Sequence, residues 1–218
     1  MPELNSGLTT GLRKGCAALE LEASAAQLDL LLEYLELLCK WNKAYNLTAV
    51  RDASQMVTRH LLDSLAIAPH VAGERCLDVG TGAGLPGVPL AIMFPQRTFH
   101  LLDSNGKKTR FLFQVKTALG LDNMVIHQAR VESFQPQELF DVVLSRAFAS
   151  LEDMMQGCRH LLAPQGRFLA MKGAVPTLEL QVVSKECSFT AVYPLSVPGL
   201  GEQRHLVEMM LHPHSSHP

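Results

Sequence analysis

Paired cysteines are what the sequence most plainly lacks. Its five cysteines, Cys16, Cys39, Cys76, Cys158 and Cys187, are odd in number, far apart and form no C-x-x-C. That usage argues against a disulfide framework or a zinc site, no metal ligand set is expected, and the natural compartment is the reducing cytoplasm. An excess of one charge is also missing: 19 basic and 21 acidic residues give a net charge of −2. A uniformly cationic nucleic-acid coat is excluded, whereas a local basic patch is not. The longest uncharged stretch, 79–96, contains four glycines and three prolines, and no bilayer-spanning helix is built that way. The start, Met1-Pro2-Glu3-Leu4-Asn5, has no basic lead into an apolar run, so neither a secretory leader nor a membrane partner is expected.

What is present is core material, 47% hydrophobic in 218 residues, enough for one generous domain with an extension. Residues 1–24 are small, polar and irregular in pattern, and read as a loosely held arm. From Ala25, the leucines at 28, 31, 32, 35 and 38 keep amphipathic helical spacing, with Asp29, Glu33 and Glu36 opposite. A second helical pattern runs from Ser54, read as its N-cap, to Ala68, and Pro69 ends it. Between them lies a polar and aromatic connector, Trp41 to Thr48.

From Arg75 the rhythm changes. Apolar strands at 75–79, 98–102, 123–127, 140–145 and 166–171 alternate with helical patterns at about 86–93, 105–119, 151–162 and 175–186. This predicts βαβ units and a parallel sheet with helices on both faces. Two further apolar runs, 188–196 and 203–211, flank Pro198-Gly199-Leu200-Gly201 and predict an antiparallel pair closing the sheet edge. The histidine-bearing end, 212–218, reads as a frayed terminus. His-Leu-Leu-Asp-Ser occurs at 60–64 and again at 100–104. The first copy continues a helical pattern and the second reads as a strand end, so the shared letters are not a repeat.

The sharpest feature is the run from Cys76 to Gly87, in which a strand ends at Asp78 and Gly80, Gly82 and Gly84 follow. Glycines there let the backbone turn sharply and approach a ligand closely. Residues 82–87 also satisfy the dinucleotide pattern G-x-G-x-x-G. Asp78 argues against a dinucleotide, because a carboxylate just before the glycines would repel a pyrophosphate. It suits S-adenosylmethionine, whose amino acid end carries an ammonium beside a sulfonium. Asp103, at the end of the next strand, stands where an acid accepts from two ribose hydroxyls, or where it caps the following helix.

Asp78 to Gly87, Leu101 to Ser104, Lys107 to Leu112, Ala129 to Glu132, Leu144 to Phe148 and Met171 to Gly173 together closely resemble one family. The segments at 41–48 and 59–65 resemble it as well. It is the bacterial small-subunit ribosomal RNA (guanine-N7) methyltransferase family, also called glucose-inhibited division protein B, and the resemblance spans about 25–175. It implies an α/β fold, the class I S-adenosylmethionine-dependent methyltransferase fold, Rossmann-like with a mostly parallel sheet and an antiparallel edge. The implied division is an arm and helical extension over 1–72 and the Rossmann-like domain over 73–218. The resemblance further implies that Gly80, Gly82, Gly84 and Leu85 hold the methionine and adenosine parts. Asp103 would take the ribose, Val131 and Glu132 would border the adenine, and Arg146 would line the cofactor and the reacting centre in a positioning role.

The residues agree with that chemistry. Exocyclic amino groups are poor nucleophiles whose enzymes usually place an Asn/Asp-Pro-Pro-aromatic element after the fourth strand, and pyrimidine C5 needs a cysteine nucleophile. Leu144-Ser145-Arg146-Ala147-Phe148 offers neither, and Cys158 lies within a helical pattern that suits core packing. The N7 of guanine needs no general base, so positioning and electrostatics suffice. Arg146 would bind either guanine O6 or the cofactor. In A-form RNA the N7 atom lies in a groove too narrow for side chains, so the target guanine is expected in a loop or flipped outward. Phosphate contacts fall to local cations: Lys107, Lys108 and Arg110 on one helix, Lys43, Arg59 and His60 around the connector, and Lys172 past the fifth strand. A solvated helix face is the plainer reading of any single lysine. His60 and Asp63, one helical turn apart, would otherwise pair with each other, and Trp41 and Tyr45 would stack on a base or pack inward. The expected partner is small-subunit ribosomal RNA or its assembling particle, met by a monomer. A small-molecule or protein methyltransferase, a nicotinamide oxidoreductase and a non-enzymatic cofactor or RNA binder are the competing readings.

Overall fold

The computed structural model describes residues 2–212; of the expected frayed end at 212–218, all but the first residue lies outside the described residues. Seven strands form one sheet: β1 (Arg75–Val79), β2 (Thr98–Asp103), β3 (Met124–Gln128), β4 (Phe140–Ser145), β5 (Leu162–Lys172), β6 (Cys187–Leu195) and β7 (Arg204–Leu211). Their order is β3-β2-β1-β4-β5-β7-β6. Strands β1 to β5 are parallel, and β7 is antiparallel to both β5 and β6. The last strand therefore returns inside the one before it. In that inner position Leu206, Val207 and Met209 of β7 are fully buried, whereas β6 is mostly half-exposed. Pro194 has no N–H to donate and is tolerated on that outer strand.

Successive side chains of a strand face opposite layers. Cys76 of β1 joins the cluster that includes Val88, Phe111 and Leu112, whereas Leu77 and Val79 join Leu151, Met154, Met155 and Cys158. The first layer is covered by α5 (Gly87–Met93) and α6 (Gly106–Leu119), the second by α7 (Leu151–Cys158), with α8 (Thr177–Val183) beside it. Upstream of the sheet stand α1 (Pro2–Ala18), α2 (Ala25–Tyr45), α3 (Ala53–Met56) and α4 (Asp63–Leu65). Between α3 and α4 the helix widens into a π-helical segment, Val57–Leu62. Leu28, Leu31, Leu35 and Leu38 of α2 share one continuous apolar cluster with α5 and α6.

Two local expectations are corrected. The N-cap of α3 is Asp52, which accepts from the Gln55 N–H at 2.9 Å, while the Ser54 hydroxyl donates to Asp52. An aspartate one residue before the first helical turn satisfies an orphan donor that Ser54, already inside the helix, does not. Residues 2–18 are a helix rather than a loose arm. Leu12 and Cys16 are buried, and Gly15 lies directly against Leu62, leaving no room for a Cβ. Smallness is what permits this close approach. We expect Leu12→Ala to cost about 2–5 kcal/mol of folding stability. Urea unfolding checks this, and a loss under about 0.5 kcal/mol would return α1 to the status of an arm.

Candidate cofactor and substrate site

Chain order reverses between β1 and β4, and the crevice beyond the carboxyl ends of such strands is where an open α/β sheet binds ligands. Two cavities open there. The larger, about 340 Å³, is lined by Val79 and Gly80 after β1, Asp103 and Lys108 after β2, Val131 and Glu132 after β3, and Ala147 and Phe148 after β4. That is a small-molecule volume. The smaller, about 200 Å³, lies between the same glycine loop and the helical extension, lined by Leu47, Thr48, His60, Thr81, Gly82, Leu85 and Arg146 among others. Gly80 and Ala147 border both.

The loop is held from beneath and from the side. Asp78 is 1% exposed and accepts from the Thr81 hydroxyl at 2.6 Å and the Gly87 N–H at 2.9 Å. Burial pushes its carboxyl up to about 7, and its Oδ1 has no partner among the described residues. Asp78 lines neither cavity, and its bonds to Thr81 and Gly87 tie the two ends of the loop together. At Gly84, φ +94°, a Cβ would run into Val88 and Leu112, so the packing beneath the loop also requires glycine there. Gly80, in the left-handed region at φ +67°, differs. A Cβ there would stand 2.7 Å from the Ala147 Cβ, at the border of both cavities. The Tyr34 hydroxyl of α2 braces the same loop, donating to the Ala83 carbonyl at 2.7 Å.

Asp103 accepts from the Gly82 N–H at 3.0 Å, the Asn105 N–H at 2.9 Å and Lys108 Nζ at 3.3 Å. The cap of α6 is Asn105, which accepts from the Lys107 N–H at 2.9 Å. The helix-cap role of Asp103 is thereby removed, and its carboxylate faces the larger cavity.

Arg146 follows β4 and lines the smaller cavity, with Nη1 3.0 Å from Asp63 Oδ2. Its backbone is pinned by Ser145, whose hydroxyl donates to the Val79 carbonyl at 2.7 Å and accepts from the Ala147 N–H at 3.0 Å. His60 is buried and its Nε2 lies 2.9 Å from Thr48 Oγ1. Desolvation by burial lowers its pKa, which favours the neutral ring. The carboxylate of Asp63, at the end of the π segment, meets Arg146 and Arg204 rather than His60. Such π segments recur at functional sites.

The basic residues divide. Lys43, Lys107 and Arg110 are exposed. Arg59 is half-committed to Glu202 at 2.6 Å. Lys108 serves Asp103, and Lys172 donates to the Ala149 carbonyl and Glu179, both at 3.1 Å. Lys108 and Lys172 thus each have an intramolecular partner, while His60 keeps an unpartnered Nδ1 among the described residues. Trp41 packs inward, 5.7 Å from the Phe111 ring, while Tyr45 beside it is exposed. The connector owes its shape to Asn42, which accepts from the Thr48 N–H and donates to the Val50 carbonyl. Thr81 and Ala147 also line the site, and both stand inside the motifs at 78–87 and 144–148. Arg204, the second partner of Asp63, lies beyond those motifs and carried no local signal.

The geometry meets its relatives here. Residues 27–207 match the family model described as rRNA small subunit methyltransferase G. A protein named ribosomal RNA small subunit methyltransferase G from Saccharophagus degradans is 58% identical over 200 residues, covering 92% of this chain and 90% of that one. The same-named protein of Cellvibrio japonicus is 53% identical over 212 residues, 95% of this chain and 97% of that one. Among solved structures, a glycopeptide N-methyltransferase complexed with S-adenosyl-L-homocysteine superposes with a TM-score of 0.59 at 12% identity, over 70% of this chain and 90% of that one. That likeness speaks to the fold alone, the class I methyltransferase fold. With a matching model across most of its length and relatives identical at more than half their positions, the chain belongs to the rRNA small subunit methyltransferase G family.

Proposed function

We propose that this chain transfers the methyl group of S-adenosylmethionine to N7 of a specific guanine in a loop of the small-subunit (16S) ribosomal RNA. The observation that carries the choice of atom is the environment after β4. The Ser145 hydroxyl is consumed by Val79 and Ala147, Arg146 is a cation, and Cys158 is buried with its thiol pushed up to about 12. Neither a general base nor a cysteine nucleophile stands there, which suits a target that is already nucleophilic.

The residues fit the cofactor. Gly80 keeps the cavity border open because it has no Cβ, and Asp103 offers a carboxylate to ribose hydroxyls from the wall of the larger cavity. Val131 and Glu132 border the adenine end of that cavity, and Leu85, Gly82 and Arg146 wall the smaller one. When bound, S-adenosylmethionine supplies an electrophilic methyl on a sulfonium. Asp78 and Tyr34 keep the loop from moving, and Arg146 holds an acceptor at the reacting centre by charge and geometry. Within this reading, residues 1–72 are the extension that walls the substrate side and 73–218 the methyltransferase domain, acting as a monomer in the cytoplasm. Among the described residues no helix is long and apolar enough to cross a membrane.

With a net charge of −2, phosphate contacts supply limited attraction, and shape must contribute to recognition. A partly protein-bound small-subunit particle is therefore expected to outperform stripped RNA. Labelled methyl transfer to naked RNA, immature particles and mature subunits, with the product base mapped, tests both points. Label at another atom refutes N7, and equal rates on naked RNA refute the particle. Lys107→Glu with Arg110→Glu is expected to weaken RNA binding about tenfold and flatten its salt dependence while sparing the cofactor. Filter binding across a salt series checks this, and an unchanged salt slope would remove that face of α6 from the interface.

A further inference from the structure

We propose that Asp63, in the helical extension, is the positioning residue that holds Arg146 in the wall of the smaller cavity; the catalytic part of this inference rests on the function proposed above. The Asp63 side chain is 5% exposed, and its two oxygens are divided between two arginines, Oδ2 to Arg146 Nη1 and Oδ1 to Arg204 Nε, each at 3.0 Å. The three come from distant parts of the chain: Asp63 opens α4, Arg146 follows β4 and Arg204 opens β7. Arg204 is held in turn by Glu202 at 3.1 Å, and Glu202 by Arg59 at 2.6 Å.

This arrangement does two things for Arg146. An arginine on a loop samples many rotamers, and anchoring one Nη to a buried carboxylate removes most of that freedom. The anchor uses Nη1, and a guanidinium carries five donors, so donors are left for a ligand acceptor. Charge survives as well. Two acids face three arginines across Asp63, Glu202, Arg59, Arg146 and Arg204, so the network keeps one net positive charge. Arg204 is the counterweight: it shares the carboxylate and keeps Asp63 from neutralising Arg146 alone. The extension thus supplies a wall and also the group that aims the arginine on the domain beside it.

The test is a double-mutant cycle in single-turnover methyl transfer, with S-adenosylhomocysteine calorimetry and circular dichroism as controls of folding. Asp63→Asn and Arg146→Lys are each expected to slow transfer about 10- to 100-fold, as misplacement of an aligned group does. In the Arg146→Lys background, Asp63→Asn is expected to slow it less than about threefold further, because residues acting through one another do not add. Multiplying effects would overturn the proposal. If Asp63→Asn does not fold, Asp63→Glu keeps the charge, shifts the carboxylate by one methylene, and enters the same cycle with the same expectation. Guanidinium rotation followed by nitrogen-15 relaxation needs no substrate. Arg146 rotation is expected to be slow in the wild type and fast in Asp63→Asn or Asp63→Glu, and equal rates would overturn the positioning role. Failure of the wild type to methylate small-subunit RNA would sink the functional reading, with the rotation experiment still deciding Asp63.

Discussion

Gly80→Val is expected to bring methyl transfer below detection and to weaken S-adenosylhomocysteine binding at least about 100-fold, roughly 3 kcal/mol. Gly80 sits at φ +67° with the Ala147 Cβ 2.7 Å from where its own Cβ would be. A β-branched side chain at positive φ costs about 1–2 kcal/mol in backbone strain alone. The added methyls then meet Ala147 at the boundary between the two cavities, where overpacking costs about 1–3 kcal/mol more. The loop escapes only by moving, and moving it breaks the Gly80 and Thr81 N–H bonds to the Leu102 carbonyl. Calorimetry and thermal unfolding measured together separate the two losses. Affinity retained within threefold would mean that this loop is not the cofactor cradle.

Asp103→Ala is expected to weaken cofactor binding by about 1–3 kcal/mol, five- to 150-fold, through loss of a charged acceptor for ribose hydroxyls. The substitution also takes the partner from the Gly82 N–H, the Asn105 N–H and Lys108. The glycine loop then loses its lateral tie, and part of the binding loss is loss of preorganisation. Asp103→Asn separates the contributions, because an amide keeps an acceptor oxygen for Gly82 while surrendering the charge. Calorimetric affinity for Asn between those of wild type and Ala is the expected ranking. Unchanged affinity in both variants would leave Asp103 as a brace of the loop and nothing more.

Those residues stand in motifs a reader of the chain can find, and the reason is local physics. Strand–helix alternation, the glycines after β1 and the acid at the end of β2 are set by periodicity and backbone conformation over a few residues. Accordingly the first four strands fall within a residue or so of their expected limits, whereas β5 begins four residues earlier than its apolar run, at Leu162. The two His-Leu-Leu-Asp-Ser copies separate as expected, one in the π segment and α4 and the other ending β2. Family membership was legible for the same reason, since its motifs crowd the strand ends.

Tertiary structure decided what local pattern cannot carry. Residues 2–18 become a helix because Leu12, Gly15 and Cys16 find a surface to lie against. Strand β7 lies inside β6 although it carries Arg204 and Glu208, and there Leu206, Val207 and Met209 are buried between its two neighbours. Lys108 and Lys172, equal in sequence to any surface lysine, are paired with Asp103 and Glu179. Asp63, Arg146 and Arg204 meet across 141 residues of chain because a buried carboxylate must be paired, and only the folded chain brings it two partners.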